Sequence, residues 1–589
     1  MDSATSAAVP SHDSLKIATR RLTIVTQRNS LIISAASVLI LLFPASLAAQ
    51  RVVRSFDGDK GVEFSICHPE TTRCGRQPEM GVAADGKHVV QVTWQNVLVF
   101  DYKGKLQRST PTADFVRAAD LDPNPPGGKG PFEPHVVFDE FLQRWIITLT
   151  CHSDCFLVSA TADPMGAWGG VYISCLQGGP CLDRDPALHL GYDKNGVYYC
   201  GGHLGDENPH TVPKVAYDCF ALPQSEVASI AQGTPPQHLN RAHNLPLDIL
   251  PAIDHNREKS SNAPEFFVAK TCSRAEPGGC QRSVNFPFEW IVDSFTWNGT
   301  SGTFSTGDAE QIVKTDVGSQ RDKWLYNLPC CTVNAGIAQA GSDILLRSAE
   351  SHRLSNLVQF GSHLYGALSS GPCTQDCGPQ SEDKNNLLFF VDLDCSKTTA
   401  CVVSQTEKIA GDFNPEFATV GVDAQGNLGI VAESSTPSTD LSVLLWTHKK
   451  SDAANTFAGP VTVARGTQPY TCLNNRNLAL LGNAVGVLTA LDPRDGTKLW
   501  TTQQWSHDAT RCVWNTRIVA YQISAKTNVS RIGATKNNLQ ALANMNATDL
   551  VIPRELSNPH WGESDNEPEN VPFSRLCGVR MSCSSGDTQ

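Results

Sequence analysis

Residues 131–202 read PFEPHVVFDEFLQRWIITLTCHSDCFLVSATADPMGAWGGVYIS, then CLQGGPCLDRDPALHLGYDKNGVYYCGG. The stretch holds four or five short apolar runs, each closed by a turn cluster of Gly, Pro, Asp or Asn. Runs this short, broken this often, suit strands and hairpins rather than helices. Its opening also recurs. Pro78–Asp85 reads PEMGVAAD, Pro134–Asp139 reads PHVVFD, Pro186–Asp193 reads PALHLGYD and Pro415–Asp423 reads PEFATVGVD. In each, a proline precedes a short apolar strand, an aspartate opens a turn, and a second apolar strand follows: HVVQVTW, RWIITLT, GVYYC and LGIVAE. Proline is tolerated at the first residue of a strand, where no ladder donor is needed. Asp-Gly and Asp-x-x-Gly are hairpin turn chemistry.

Asp85, Asp139 and Asp193 are 54 residues apart each time, a spacing that fits a four-stranded blade with its loops. Weaker echoes lie around Phe266–Lys270, Gly361–Ala367 and Asp492–Trp500. The expectation is an all-β fold: a single β-propeller over 78–523, of about seven (six to eight) four-stranded blades. Residues 50–77 read as a loop-rich lead-in. The stretches 120–130, 204–264 and 371–385 read as long loops at the blade ends, with a short helix in SEVASIAQG (225–233). Residues 524–589 read as an extension, either partly ordered or supplying the strand that closes the ring.

The composition, 40% hydrophobic and 18% charged over 589 residues, is that of a globular protein. With 45 Gly and 35 Pro, it favours many turns. Residues 1–49 read as a signal peptide. Lys16, Arg20, Arg21 and Arg28 form a basic region, Leu31 to Phe43 is apolar, and Ala45 to Ala49 supplies small residues for cleavage near Ala48 or Ala49. The other reading is an uncleaved anchor, since Leu31 to Ala49 is just long enough to span a bilayer although it contains Pro44. Without 1–49 the chain keeps 43 basic and 57 acidic residues, a net charge of −14. That balance disfavours nucleic acid and anionic lipid as partners, and no membrane insertion is expected after cleavage.

All twenty cysteines follow the leader and fall into neighbouring couples: Cys67/Cys74, Cys151/Cys155, Cys175/Cys181, Cys200/Cys219, Cys272/Cys280, Cys330/Cys331, Cys373/Cys377, Cys395/Cys401, Cys472/Cys512 and Cys577/Cys583. The even count and local spacing predict disulfides across hairpins and loops, formed in a secreted or periplasmic compartment, or at the cell surface if the leader stays. The rival is a zinc site at Cys151-His152-x-x-Cys155, which lacks a second close ligand pair.

Three sets of segments carry a resemblance. They are EPHVVFDEFLQRWIITLTC with CFLVSATADPMGAW; DRDPALHLGYDKNGVYYCGG with VAYDCFALPQSEVA; and FNPEFATVGVDAQGNLGIVAESS with ALDPRDGTKLWTTQQW and WNTRI. On these, residues 78–200 and 412–523 resemble a group of secreted bacterial β-propeller proteins of mostly unassigned activity. The resemblance implies fold and export, and no reaction. The chain departs from the group at 475–482, where NRNLALLG stands in place of an Arg-Trp-Gly-Asp-Tyr-like motif.

In a propeller, residues just before each innermost strand ring the channel mouth, where ligands are commonly held. By the repeat alignment these are Gln77 and Glu79, Glu133 and His135, Arg184 and Asp185, and Asn414 with Glu416. The plainer role for such residues is to cap strand ends. The expected function is a binding module for a glycan or another extracellular polymer or protein. The alternative is a glycoside hydrolase using two of Glu133, Asp185 and Glu416 across one sugar. A sialidase-like reading has only Arg184, Arg511 and Arg517 to offer, without that family's Ser-x-Asp-x-Gly-x-Thr-Trp turns. A quinoprotein dehydrogenase is suggested only by Cys330-Cys331 and by the single run ending at Trp500. No cofactor is expected. Calcium has one candidate, Asp120-x-Asp122-x-Asn124, but Pro125 and Pro126 follow and Pro131 stands where a closing Glu is required, so an acidic turn is the better reading. His203, His210, His238 and His243 lack the helical spacing of metalloprotease ligands.

Overall fold

The computed structural model describes residues 51–60, 78–124, 131–151, 153–178, 188–204, 215–245, 249–271, 289–305, 311–314, 336–347, 354–370, 387–397, 401–409, 413–454, 456–470, 478–480, 489–507 and 514–523. All lie within one compact unit, 1–526. The unit is nearly all-β and propeller-like, with two short helices among the described residues, Thr112–Ala118 and Gln224–Ile230.

Three sheets are four-stranded antiparallel meanders in simple chain order. The first runs Met80–Ala84, His88–Thr93, Asn96–Asp101 and Leu106–Pro111. The second runs Phe132–Asp139, Arg144–Thr150, Asp154–Ser159 and Trp168–Tyr172. The third runs Pro415–Val422, Leu428–Thr436, Thr439–His448 and Ala458–Ala464. Two more meanders, opening with His189–Tyr192 and with Leu357–Phe360, join into nine strands through the dipeptide Ile253–Asp254. There Tyr192, Ile253 and Val358 pair side by side in parallel. Another sheet is built on Glu265–Thr271 and Glu289–Asn298.

The remaining four-stranded sheet joins the two ends of the unit. Thr489–Leu491, Lys498–Trp505 and Asn515–Gln522 are completed by Arg51–Lys60, which runs antiparallel along Asn515–Gln522. Thus the start of the segment expected as a loop-rich lead-in is a strand. Its side chains alternate only weakly, which hides it from a periodicity reading. A small extra sheet combines Gly336–Gln339, Ser342–Arg347 and Leu478–Leu480.

The repeated aspartate builds the turn it opens. Oδ1 of Asp85, Asp139, Asp193, Asp423 and Asp492 each accepts two backbone amides just downstream, and Oδ1 of Asp254 accepts that of Asn256, at 2.6–3.1 Å. This is the Asx turn, in which a short carboxylate replaces a missing backbone acceptor. The repeat is in register by these aspartates and not by its prolines. Glu79, Glu133 and Phe417 each stand six residues before the aspartate, and each has a left-handed backbone, with φ of +33°, +52° and +48°. Pro78, Pro134 and Pro415 stand seven, five and eight residues before it. Aligning on proline therefore places Glu416 one residue out of phase. Phe417, not Glu416, is the counterpart of Glu79 and Glu133.

The core lies between sheets. One apolar cluster joins Val90 and Val92 to Trp145 and Ile147. A second joins Ile146 and Phe156 to Tyr199 and Phe220, and a third joins Tyr198 to Phe267 and Phe295. The next link Val268 to Leu364 and Phe389, Phe390 to Val420 and Trp446, and Val431 to Leu499 and Tyr521. The last packs Trp500 and Ile518 against Val82 and Phe100. The first strands of the sheets also meet one another around a narrow cavity of about 20 Å³, lined by Ala84, Phe138, Tyr192, Ile253, Val358, Val422 and Leu491. Close approach there needs glycine: a Cβ on Gly191 would lie 2.3 Å from the carbonyl oxygen of Ala252.

The helix read in 225–233 is present as Gln224–Ile230. The stretch 204–264, expected as loop, carries the strands Val215–Pro223, Asn240–Leu245, Leu250–Pro251 and Ile253–Asp254. The last two are too short to leave a periodic signal. Trp500 packs against Phe56 and Tyr102, between sheets. Among the described residues no helix is long and apolar enough to cross a membrane.

Disulfides join Cys151–Cys155, Cys200–Cys219 and Cys395–Cys401, as paired in the sequence. The first of these replaces the zinc reading. The other seven expected couples fall on residues that the structure does not describe. Cys67 with Cys74, Cys272 with Cys280, Cys330 with Cys331, Cys373 with Cys377, Cys472 with Cys512, and Cys577 with Cys583 lie wholly outside the described residues. Cys181, the expected partner of Cys175, lies outside them too, as do 1–49 and 524–589.

Candidate functional site

Two polar constellations lie at opposite ends of the first strands. At the strand starts are the residues expected from sequence. Glu79 is half-buried, and its Oε2 accepts the backbone amide of Glu133 at 2.8 Å. Glu133, His135 and Glu416 are buried. Burial pushes His135 down to about 3, so it is neutral, and its ring meets His189 edge-on at 5.8 Å. Glu416 lies opposite Glu433 across the first two strands of its sheet. Burial pushes Glu433 well above the usual carboxylate range, against the backbone amide of Gln504 that its Oε1 accepts at 2.8 Å. The fold thus brings Glu79 to Glu133 and Glu416 to Glu433. Gln77, Arg184 and Asp185 lie outside the described residues.

At the other end, where the aspartate turns lie, a cavity of about 400 Å³ opens. Its polar lining includes Glu140, His255, Asn256, Arg257 and Gln359, with Phe360 as an aromatic wall. Glu140 and His255 come from turns 115 residues apart, yet His255 Nδ1 lies 2.7 Å from Glu140 Oε1. The Tyr192 hydroxyl donates to Glu140 Oε2 at 2.7 Å and completes the carboxylate's environment. Burial pulls the His255 imidazolium down, but Glu140 beside it outweighs that and raises its pKa. Burial alone would raise Glu140. The charge and hydrogen bond of His255, with the Tyr192 hydroxyl, hold it below its ordinary value instead. Both shifts favour the charged form of each partner. His255 turns Nδ1 to Glu140, and Nε2 has no hydrogen-bond partner among the described residues.

Behind the cavity wall, Lys259 is buried among three carboxylates: Asp193 at 2.8 Å, Asp254 at 3.3 Å and Glu265 at 2.7 Å. Burial pulls its ammonium down, but Glu265, Asp193 and Asp254 outweigh it and raise the pKa. This cluster ties the turn of one sheet to the loop and first long strand of the next. On the far rim Asp492 receives Tyr102 and faces Lys498, so its carboxylate is also engaged within the fold.

Sequence reading missed this end. A signal existed: Glu140 and His255 each directly follow a turn aspartate, as do Ala424 and Pro493 of the same lining. At four of the repeated aspartates, Asp139, Asp254, Asp423 and Asp492, the next residue faces this cavity. Among the described residues no group of three or more His, Cys, Asp or Glu could hold a metal ion. Asp122 Oδ1 accepts the backbone amide of Asn124 at 2.9 Å. Arg517 pairs with Asp57 and Ser55 on the added strand.

No family model and no curated protein matches the chain. Among solved structures it is similar to hydrazine synthase of Kuenenia stuttgartiensis, at 10% identity and a TM-score of 0.33, covering 73% of this chain and 94% of that one. It is similar to extracellular domains 1–2 of Drosophila semaphorin 1a, at 10% identity and 0.34, covering 81% and 89%. It is also similar to a PL25 ulvan lyase, at 9% identity and 0.31, covering 63% and 77%. These neighbours are mostly propeller-type proteins at low identity.

Proposed function

We propose that the chain is an exported, closed seven-bladed β-propeller that binds a glycan in the cavity at its aspartate-turn end. Two features support closure. Seven apolar clusters each bridge two sheets and run round to the first again, the last through Trp500 and Val82. Seven first strands contribute to one axial cavity. In this reading Arg51–Lys60 is the fourth strand of the last blade and fastens the ring. The disulfides favour an oxidising compartment, in line with the basic and apolar leader.

The observation that carries the ligand reading is the lining of the 400 Å³ cavity. It lies within the range of small-ligand sites. It mixes donors (Asn256, Arg257, Gln359, His255) with acceptors and includes the aromatic ring of Phe360, which also carries Lys450 Nζ over one face, the mix of polar groups and aromatic surface that a sugar's hydroxyls and apolar ring face require. Its aspartates are largely occupied by turn amides. That argues for hydrogen-bond recognition of an uncharged polyol over capture of a cation. Carboxylates at the strand starts bound to backbone amides, as Glu79 and Glu433 are, favour a binder over a hydrolase there.

The test is a glycan array probed with residues 50–589, with product analysis of each hit. The reading expects an intact bound glycan and at least tenfold weaker binding in Gln359→Ala and Phe360→Ala, roughly the loss of one hydrogen bond or one stacking face. A cleaved glycan would overturn it in favour of the hydrolase. Binding unaffected by both variants would move the site elsewhere.

A further inference from the structure

We propose that His255 contacts the ligand in this cavity and makes binding pH-dependent, with Glu140 as its positioning residue; the inference rests on the glycan-site reading above. The geometry is that of an oriented imidazole. Glu140 Oε1, 2.7 Å away, accepts the hydrogen bond from Nδ1–H, and the Tyr192 ring stands edge-on at 5.7 Å. Rotation of the ring would break the ion pair. Among the described residues Nε2 is the ring nitrogen without a partner, on a side chain that lines both the axial and the 400 Å³ cavities.

Below its folded pKa, His255 is charged and donates from both nitrogens. Nδ1–H goes to Glu140, and Nε2–H is available to a ligand oxygen as a charge-assisted bond. As pH rises through that pKa, which Glu140 places above the ordinary imidazole range, the Nε2 proton leaves. The ring then presents a lone pair, and the charge-assisted bond gives way to a weaker neutral one in which the ligand hydroxyl donates. The fold's own stability shifts in the same direction. A histidine whose pKa is raised on folding contributes stability that is complete below its unfolded value and lost as pH rises through the folded one.

The groups that face His255 come from several elements. Glu140 and Asp139 come from the end of Phe132–Asp139 and its turn, Tyr192 from His189–Tyr192, and Asp254 from its own strand. Arg257, Asp423 and Asp492 stand on the cavity lining. Asp139 also titrates at an unusual place, pushed up to about 7 by burial. It is fully buried, however, bonded to the amides of Phe141 and Leu142 and to Gln224, and it is not on the 400 Å³ lining. Its protonation acts on the turn, not on a ligand. Replacing His255 separates the two.

The experiment is the affinity of residues 50–589 for its array-identified glycan from about pH 5 to about pH 9. The expected result is a plateau at low pH and a roughly tenfold fall through one titration. His255→Asn should sit at the weaker level without the step, and Glu140→Gln should move the midpoint to lower pH. A flat wild-type curve overturns the inference even if a variant folds poorly, and His255→Gln replaces His255→Asn where that variant does not fold. Binding with a flat profile, or a step retained in His255→Asn, overturns this inference and leaves the glycan site standing. Absence of binding at every pH removes the glycan reading and this inference with it.

Discussion

In the turn after Phe132–Asp139, Gln143 takes a left-handed backbone at φ +56°, a conformation that Gly426 and Gly104 supply in comparable turns. A side chain there is strained because its Cβ crowds the following carbonyl. Gln143→Gly is therefore expected to stabilise the fold by up to about 1 kcal/mol, reduced by loss of the Gln143 bond to the Glu140 carbonyl. Urea midpoints of the two proteins check this. Lys259 is the opposite case. Its ammonium is the cation contacting Asp193, Asp254 and Glu265, all buried. Lys259→Met leaves carboxylates uncompensated and should cost about 3–5 kcal/mol. Lowering the pH, which protonates Asp254 and Glu265, both raised by burial, should recover part of the loss in a thermal melt.

At the scale of elements, the first strands are crowded because several meet around one narrow cavity. Gly191 is one place where this crowding is read directly, against Pro251 and Ala252. Gly191→Val would push two strands apart and is expected to destabilise by about 1–3 kcal/mol or more. The denaturant midpoint should fall by more than it does for the equivalent substitution at Gly233, which has open space around it and whose φ of +71° adds only local strain. The Asx turns belong to the same scale. They were legible because a turn aspartate acts within four residues of itself, so local sequence carries the whole interaction. The prolines were misleading as an alignment guide. They suit a strand start in general but are not tied to one position of the repeat, as the different offsets before Asp85, Asp139 and Asp423 demonstrate.

For the whole unit, the strand Arg51–Lys60 is decisive. It lies along Asn515–Gln522, and Phe56 packs on Phe100 and Trp500. Asp59 receives Thr93 and Asn96 from the neighbouring sheet. Deleting residues 50–60 leaves Asn515–Gln522 as an open edge, a template for intermolecular pairing. The expected outcome is lower thermal stability and oligomers on size-exclusion chromatography. A monomer with unchanged melting would overturn the proposal that this strand closes a propeller.

Local chemistry was enough for the sequence alone to determine an all-β chain, the hairpin turns, the helix at Gln224–Ile230 and three of the disulfides. Each depends on residues close along the chain. The pairing of the first described strand with the last, the meeting of Glu140 with His255, and the choice of which strand end opens into a cavity were decided by tertiary structure. These contacts join residues 115 to several hundred positions apart. Period and spacing are silent over such distances; only the packing of sheet against sheet brings the partners together.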